Sequence, residues 1–415
     1  MSRRTTGIAR LVAASGISWA GDWALNIAAS IEVFRRTDST AAVSLLLALG
    51  AAPSIVLGPI AGAIADRHDR RKVMLIADLL SGLLLLAALP LLQTRADLLV
   101  IYACVLAVGV LSTFHRPASE ALLPSLARPD QLSRANSALR LAQQFGFIGG
   151  PAAGAWLIDH RGLQMVFAID AASFLVSSSI IAAIPRVRLA AASALESPFR
   201  AALSGMSYAR EHRRIRTVIG SLGVTMLVAP VVNAGTVVFV SDELHRSESI
   251  YGWLLTVQGV GAIAFATLLI VLGSRTRLLP TGIISLVVTG GAVLLLSVSG
   301  GLASAMAAML VMGMGVVGLR VAFASYLQGE AADEYRGRVM SLVSIIANGG
   351  NLIGLALTPL AVVALGVRTA FALTGAIIAL SAIPIILLNR STVVATVPGR
   401  APEAVAAPDT TGRLR

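Results

Sequence analysis

The sequence predicts an all-α membrane protein: twelve transmembrane helices in two pseudo-symmetric six-helix halves. Three observations carry this prediction. First, the 415 residues are 56% hydrophobic and 13% charged, with a mean hydropathy of +0.82. Apolar runs of about 20 residues recur along the chain, and at about 1.5 Å per residue each is long enough to span a hydrocarbon core. Second, the basic residues sort by side. Arg35, Arg36, Arg95, Arg161, Arg246 and Arg368 fall on one side, and the rest of the 33 fall on or near the other. Short cytoplasmic loops retain Arg and Lys, so both termini are expected inside and the number of spans is even. Third, residues repeat at an offset of 204, without a gap: Arg116 with Arg320, Arg134 with Arg338, Ser137 with Ser341, Gly146 with Gly350, Gly150 with Gly354, Gly162 with Gly366 and Phe167 with Phe371. Two parallel repeats are the expectation.

The spans are expected at 8–33, 41–65, 73–92, 98–122, 132–157, 164–184, 217–240, 250–272, 278–298, 302–327, 338–365 and 369–388. The domains that follow are residues 1–184, a basic cytoplasmic linker at 185–216, residues 217–388, and a disordered tail at 389–415. Within the linker, Pro198 to Arg210 has the pattern of an amphipathic surface helix. The N-terminal apolar run outlasts a signal-peptide core and reads as an uncleaved first span.

Composition excludes several function classes. Net charge is +12, with Lys72 the single lysine, but the arginines lie in short loops, so topology accounts for them and no nucleic-acid partner is implied. The single cysteine, Cys104, can form neither an intramolecular disulfide nor a cysteine metal cluster. Five scattered histidines offer no metal site and no membrane-enzyme constellation. No phosphate-binding loop of the G-x-x-x-x-G-K-[ST] type is present. No cofactor is expected, and active transport would draw on an ion gradient.

In the first span, Asp22 stands between Trp19, Trp23 and Asn26, about 22 Å from the inner end by helical rise. A carboxylate at that depth costs about 2.5–3.5 kcal/mol on insertion scales, so it needs a cavity or a partner. A neutral packing acid is the competing reading. The second and third spans are joined by Gly62-Ala-Ile-Ala-Asp66-Arg67-His-Asp69-Arg70-Arg71-Lys72. Gly62 allows close helix approach, and Asp66 can face the positive end of another helix. Asp78, two turns beyond, is placed to pair with Arg70 or Arg71.

The fourth span ends in His115-Arg116-Pro117-Ala-Ser-Glu120. Pro117 should kink it. Arg116 and Glu120 share a face, and the sequence leaves open whether they snorkel to the interface or reach a cavity. The fifth span carries Gln143, Gln144 and a smooth face of Gly146, Gly150 and Gly154, with Pro151 bending it. Asp170, in the sixth, reads as a capping or structural acid. The second half contributes Asn233, Gln258 and Asn348. The loop at Gly273-Ser-Arg275-Thr-Arg277, where the basic motif should repeat, lacks its acid.

The spacing G-x-x-x-D-R-x-x-R-R between the second and third spans resembles the signature loop of the major facilitator superfamily, with Asp69 where the family more often has Gly. Gly150-Pro151-x-x-Gly154 resembles, in part, the antiporter motif of proton-coupled drug exporters. The chain is similar to the branch containing macrolide-efflux proteins and the enterobactin exporter, through Gly21-Asp22, the Asp66–Arg71 loop, Arg116-Pro117-Ala118, Leu123-Pro124, Ala135-Asn136, Gly150-Pro151 and Arg336-Gly337-Arg338-Val339. The resemblance implies export by alternating access. It also implies a latch on the cytoplasmic side: Asp66 with the helix start near Gly337, and Arg70 or Arg71 with Glu120.

The expected function is therefore secondary active export of a small lipophilic or amphiphilic molecule, a drug or secondary metabolite, by proton antiport. Asp22 is the coupling group, and Trp19, Trp23, Asn26, Gln143, Gln144, Asn233, Gln258 and Asn348 line the cavity. The alternatives are a siderophore or lipid-like metabolite exporter, or a non-transporting sensor. The partners are a small-molecule substrate and the bilayer; the setting is the cell membrane, as a monomer.

Overall fold

The structure is a computed structural model that describes residues 3–94, 97–128, 130–185, 198–273 and 277–394. Most of the expected disordered tail lies outside these residues, as do Arg95, residues 186–197 of the linker and the centre of the Gly273–Arg277 loop.

Among the described residues every element is helical. The order is α1 (Arg3–Thr37), α2 (Thr40–Val56), α3 (Gly58–Arg67), α4 (Arg70–Ala88) with a 3₁₀ turn at Leu89–Gln93, α5 (Asp97–Leu126), α6 (Leu132–Ala182), α7 (Pro198–Glu211) and α8 (Arg213–Val238) with a π turn at Phe239–Glu243. Then come α9 (Ile250–Leu272), α10 (Leu278–Ser297), α11 (Leu302–Glu330), α12 (Arg336–Leu365), α13 (Val367–Leu380) and α14 (Ile383–Val394). Nine of these are long and apolar enough to cross a bilayer, and the bent pair α2–α3 makes ten. The 51-residue α6 divides at Gly162 (φ 76°, ψ 170°), and each part has the length of a span. With the 35-residue α1, which has the length of a span but is not one of the nine, the described helices are enough in number for twelve crossings.

Local chemistry sets the breaks. The expected second span is two helices bent by 50°. Gly58 and Pro59 open α3, and a proline ring suits a first turn but cannot continue the hydrogen-bond ladder of the preceding helix. Asp69, the departure from the family loop, caps α4 by accepting from the Arg71 amide at 3.1 Å. Pro117 does not end its helix: α5 is continuous through Pro117 and Pro124. The amphipathic segment is helical as α7 and lies on α12, where Arg338 donates to Ser204 at 3.1 Å.

The 204-residue repeat extends to geometry. Gly162 and Gly366 both adopt φ 76°, a left-handed conformation open to glycine. Phe167 and Phe371 are both fully buried. Gly82 of α4 faces Ala171 and Leu175, while Gly290 of α10 faces Gly375 and Ala379, which lie 204 residues further on. The first half is organised by α1 against α6, with α4 against α5 and α6. The second half is organised by α8 against α12, with α10 against α11 and α13.

The halves meet along α6–α9 and α2–α12. At the end opposite the basic loop they are joined by charge: Arg35 of α1 donates to Asp159 of α6 at 2.6 Å and to Glu248, just before α9, at 3.1 Å. Arg36 pairs with Glu32 at 2.6 Å and with Asp97. Arg368 pairs with Glu243 at 2.5 Å and caps the Ser297 and Ser299 carbonyls. Among the described residues, α12 packs on α2 but not comparably on α3, the segment that leads into the basic loop.

Candidate functional site

Two polar groupings occupy the otherwise apolar helices. The first lies inside the first half, around Asp22. On α1, Gly21 has no side chain, so Asp170 and Ser173 of α6 approach its backbone; a Cβ there would collide with both. Asp22 is thereby held within electrostatic reach of Asp170, Asp78 and His115. Asp78, 1% exposed, accepts from Ser177 at 2.5 Å and contacts His115 Nδ1 at 2.6 Å. Asp170 Oδ1 accepts from Ser173 at 3.0 Å. Asp22 Oδ1 and Asp170 Oδ2 are buried with no hydrogen-bond partner, in surroundings where an unpaired polar atom costs several kcal/mol by rough estimate.

This arrangement corrects one expectation, for Asp78, and adds to two others. Asp78 does not pair with Arg70 or Arg71; it points into the helix interior, toward His115. Asp170, expected as a capping or structural acid, is a buried neighbour of Asp22 that accepts from Ser173. Arg70 and Arg71 do not meet Glu120 in this structure. Arg70 donates to the Ala65 and Ala121 carbonyls at 3.3 and 3.0 Å and to Ser125 at 3.0 Å. Arg71 donates to the Ile181 carbonyl at 2.9 Å and to that of Ala182. Both arginines thus tie the loop to helix ends in their own half, where free carbonyls abound.

The glycine face of α6 lies directly on the helix that carries Asp22. Gly146 meets Trp19 and Ala20, Gly150 meets Ala20 and Trp23, and Gly154 meets Ala24. Pro151, on another side, meets Gly252 of α9 across the two halves. Close backbone contact of this kind lets two helices move as one body or slide with little side-chain obstruction.

The second grouping draws on both halves, through α5 and α6 of the first and α11 of the second. Arg140 of α6 reaches Glu120 of α5 at 3.3 Å and Gln143 at 3.4 Å. Arg116 reaches Glu120 at 3.8 Å and covers the Trp19 ring at 5.3 Å. Arg320 of α11 is exposed and lies within electrostatic reach of Arg116 and Arg140. Glu120, expected in the latch, is here part of this network.

The other expected lining residues are distributed. Trp23 packs edge-on against Phe147, with centroids 4.7 Å apart. Asn26 donates to the Asp22 carbonyl at 2.8 Å on its own helix. Gln144 and Gln258 are half-buried, and Asn233 is exposed. Asn348 is exposed and donates to Ser344 at 3.4 Å. Among the described residues, no hydrogen bond joins Asn233, Gln258 and Asn348 to one another. Of the latch residues, Gly62 and Gly337 have open space where a side chain would stand. Arg67 is exposed. A cleft lined by Gln328, Gly329, Arg336, Gly337 and Met340 opens at the start of α12.

The sequence did not pair Asp78 with His115, nor bring Asp170 to Asp22. Each was visible as an ionisable residue within an apolar run, but their meeting depends on the packing of α4, α5 and α6. No group of histidine, cysteine or acidic side chains among the described residues is arranged to hold a metal ion.

Comparisons with known proteins converge on one family. Residues 4–401 match a major facilitator family described as transmembrane secretion effectors. Macrolide efflux protein A of Streptococcus pyogenes is 26% identical over 380 residues, covering 88% of this chain and 92% of the relative. The multidrug efflux pump Tap of Mycolicibacterium fortuitum is 28% identical over 348 residues, covering 79% and 83%. The MFS-type transporter YfiS of Bacillus subtilis is 25% identical over 392 residues, covering 91% of each. Among solved structures, a peptide transporter POT matches with a TM-score of 0.74 at 11% identity, covering 93% of this chain and 94% of that one. A bacterial homologue of the human lysosomal transporter Spinster matches with a TM-score of 0.72 at 14% identity, covering 94% and 97%. At these identities the structures establish the fold alone.

Proposed function

Since the chain belongs to the transmembrane secretion effector family of major facilitator transporters, we propose that it exports a small lipophilic or amphiphilic molecule by proton antiport. The protein is a transporter and not an enzyme; its named relatives include macrolide and multidrug efflux proteins. The observation that carries the finer reading is the buried, unpartnered oxygen of Asp22 beside Asp170 and the Asp78–His115 pair. A protonated carboxyl gains an O–H donor, which is what this packing lacks. Proton arrival at Asp22 therefore changes what α1 can bond to, and α1 is the helix on which the glycine face rests.

In this reading the basic-loop end is cytoplasmic and the structure is the state open to that side. The Arg35–Glu248 pair closes the outer side. In the opposite state Asp66 seats at the start of α12, near Gly337, and the latch closes the cytoplasmic side. The domains act as two six-helix bodies of residues 1–184 and 217–388, joined by the linker, in a monomer in the cell membrane with both termini inside.

The test is the accumulation of a panel of fluorescent lipophilic compounds in cells expressing the protein, with and without a protonophore. Lower accumulation that the protonophore restores is the expected result. Lower accumulation insensitive to the protonophore overturns proton coupling, and no change for any compound counts against a broad drug exporter.

A further inference from the structure

We propose that the cavity between the halves recognises the anionic group of an amphiphilic organic acid, through Arg116, Arg140 and Arg320. This rests on the reading of the chain as an exporter and names the substrate class its cavity selects.

The guanidinium groups of Arg116 on α5 and Arg140 on α6 meet at Glu120, and that of Arg320, exposed on α11, lies within electrostatic reach of both. Each lies about 12–15 Å from the basic-loop end of its helix by helical rise, so all three share one level. One carboxylate, Glu120, serves both Arg116 and Arg140. Arg320 has no ion-pair or hydrogen-bond partner among the described residues, and the charged groups it senses are Arg116 and Arg140. The grouping therefore carries an uncompensated positive charge within the span of a membrane.

Such a charge is expensive in a low-dielectric layer and is retained there when it has a use. Like charges at this range repel each other, and an oxyanion placed among them removes the repulsion. Guanidinium is suited to that task, because its planar fork matches the two oxygens of a carboxylate.

The symmetry of the fold gives a second, independent argument. Arg116 and Arg320 are 204 residues apart, the offset at which the two halves repeat in the fold. They are thus equivalent positions on equivalent helices, one from each half. A group held between them contacts both moving bodies, so its binding is sensitive to their relative position. The apolar remainder of the ligand has an aromatic wall beside it: Trp19 lies under Arg116, and Trp23 with Phe147 follows one turn further on. Glu120 competes for the same arginines, so an incoming anion displaces it or joins it.

The experiment is equilibrium binding to purified full-length protein in detergent, read by fluorescence, with three dansylated medium-chain probes of equal length that end in a carboxylate, a neutral amide or an amine. The carboxylate is expected to bind at least about tenfold more tightly than the amide, with an affinity that falls as salt rises. Arg320→Gln is expected to weaken the carboxylate about tenfold and leave the amide unchanged, while Arg320→Lys keeps part of the preference. Equal affinity for the three probes, tighter binding of the amine, no binding of the carboxylate, or an Arg320→Gln protein that elutes as a monodisperse peak and binds like wild type would each overturn the proposal. Binding needs no gradient, so the outcome is separable from the exporter reading: a protein that binds the acid but moves nothing in cells fails the transport test alone.

Discussion

Without water, a carboxylate depends on the donors that the protein supplies. Asp78 has two neighbours of that kind, Ser177 and His115, whereas one oxygen of Asp22 has none. This contrast assigns them different work. Asp78 is held in place, so His115→Leu, which removes one of its partners, is expected to lower thermal stability in detergent by about 3 kcal/mol; a loss under about 1 kcal/mol would mean the pair contributes little. Asp22 was legible from the sequence, because a lone acid deep in an apolar run stands out. Its neighbours were not legible as neighbours: Asp78, His115 and Asp170 lie on three other helical segments, and only the close approach allowed by Gly21 brings Asp170 to Asp22. Arg116 and Arg320 were recognisable as a repeated pair, but that Arg320 comes within electrostatic reach of Arg116 is a property of the assembled halves.

Among elements, helix contacts follow from small residues at regular spacing. The face Gly146, Gly150, Gly154 is read directly from the sequence, and the packed partner turns out to be the helix of Asp22. A bulky side chain at Gly154 would drive into the backbone at Ala24, so Gly154→Leu is expected to cost about 1–3 kcal/mol of stability and to reduce transport, measured as folded yield and as flux per folded molecule. Gly149, on another face of the same helix, meets nothing within 4 Å and should tolerate Ala in both assays. The basic loop illustrates what a motif leaves out. Its charges marked a junction between spans, and the structure adds that Asp69 caps α4. The spacing did not reveal that Arg70 and Arg71 would spend their donors on carbonyls of their own half. It also gave no sign of the 50° break at Gly58-Pro59, which divides a run that reads as one uninterrupted span.

On the scale of the whole molecule, the two ends differ. One charge pair, Arg35–Glu248, crosses between the halves at one end, and at the other α12 packs on α2 but not comparably on α3. Alternating access requires these relations to exchange. Cys104 is buried, so a double variant Arg35→Cys with Glu248→Cys can be cross-linked without interference from it. Cross-linking is expected to hold the basic-loop end open and stop transport, with recovery on reduction; full flux in the cross-linked protein would mean that this contact does not open. Asp66→Asn should act at the other end, slowing transport several-fold while leaving substrate binding unchanged.

The central claim is that Asp22 couples protons to substrate movement, and proteoliposomes test it most directly. Wild-type protein and Asp22→Asn would be compared in two assays on the same vesicles: substrate movement driven by an imposed pH gradient, and substrate exchange at equal pH. The account predicts that Asp22→Asn keeps exchange and loses gradient-driven accumulation. Gradient-driven accumulation at the wild-type rate in that variant would contradict it.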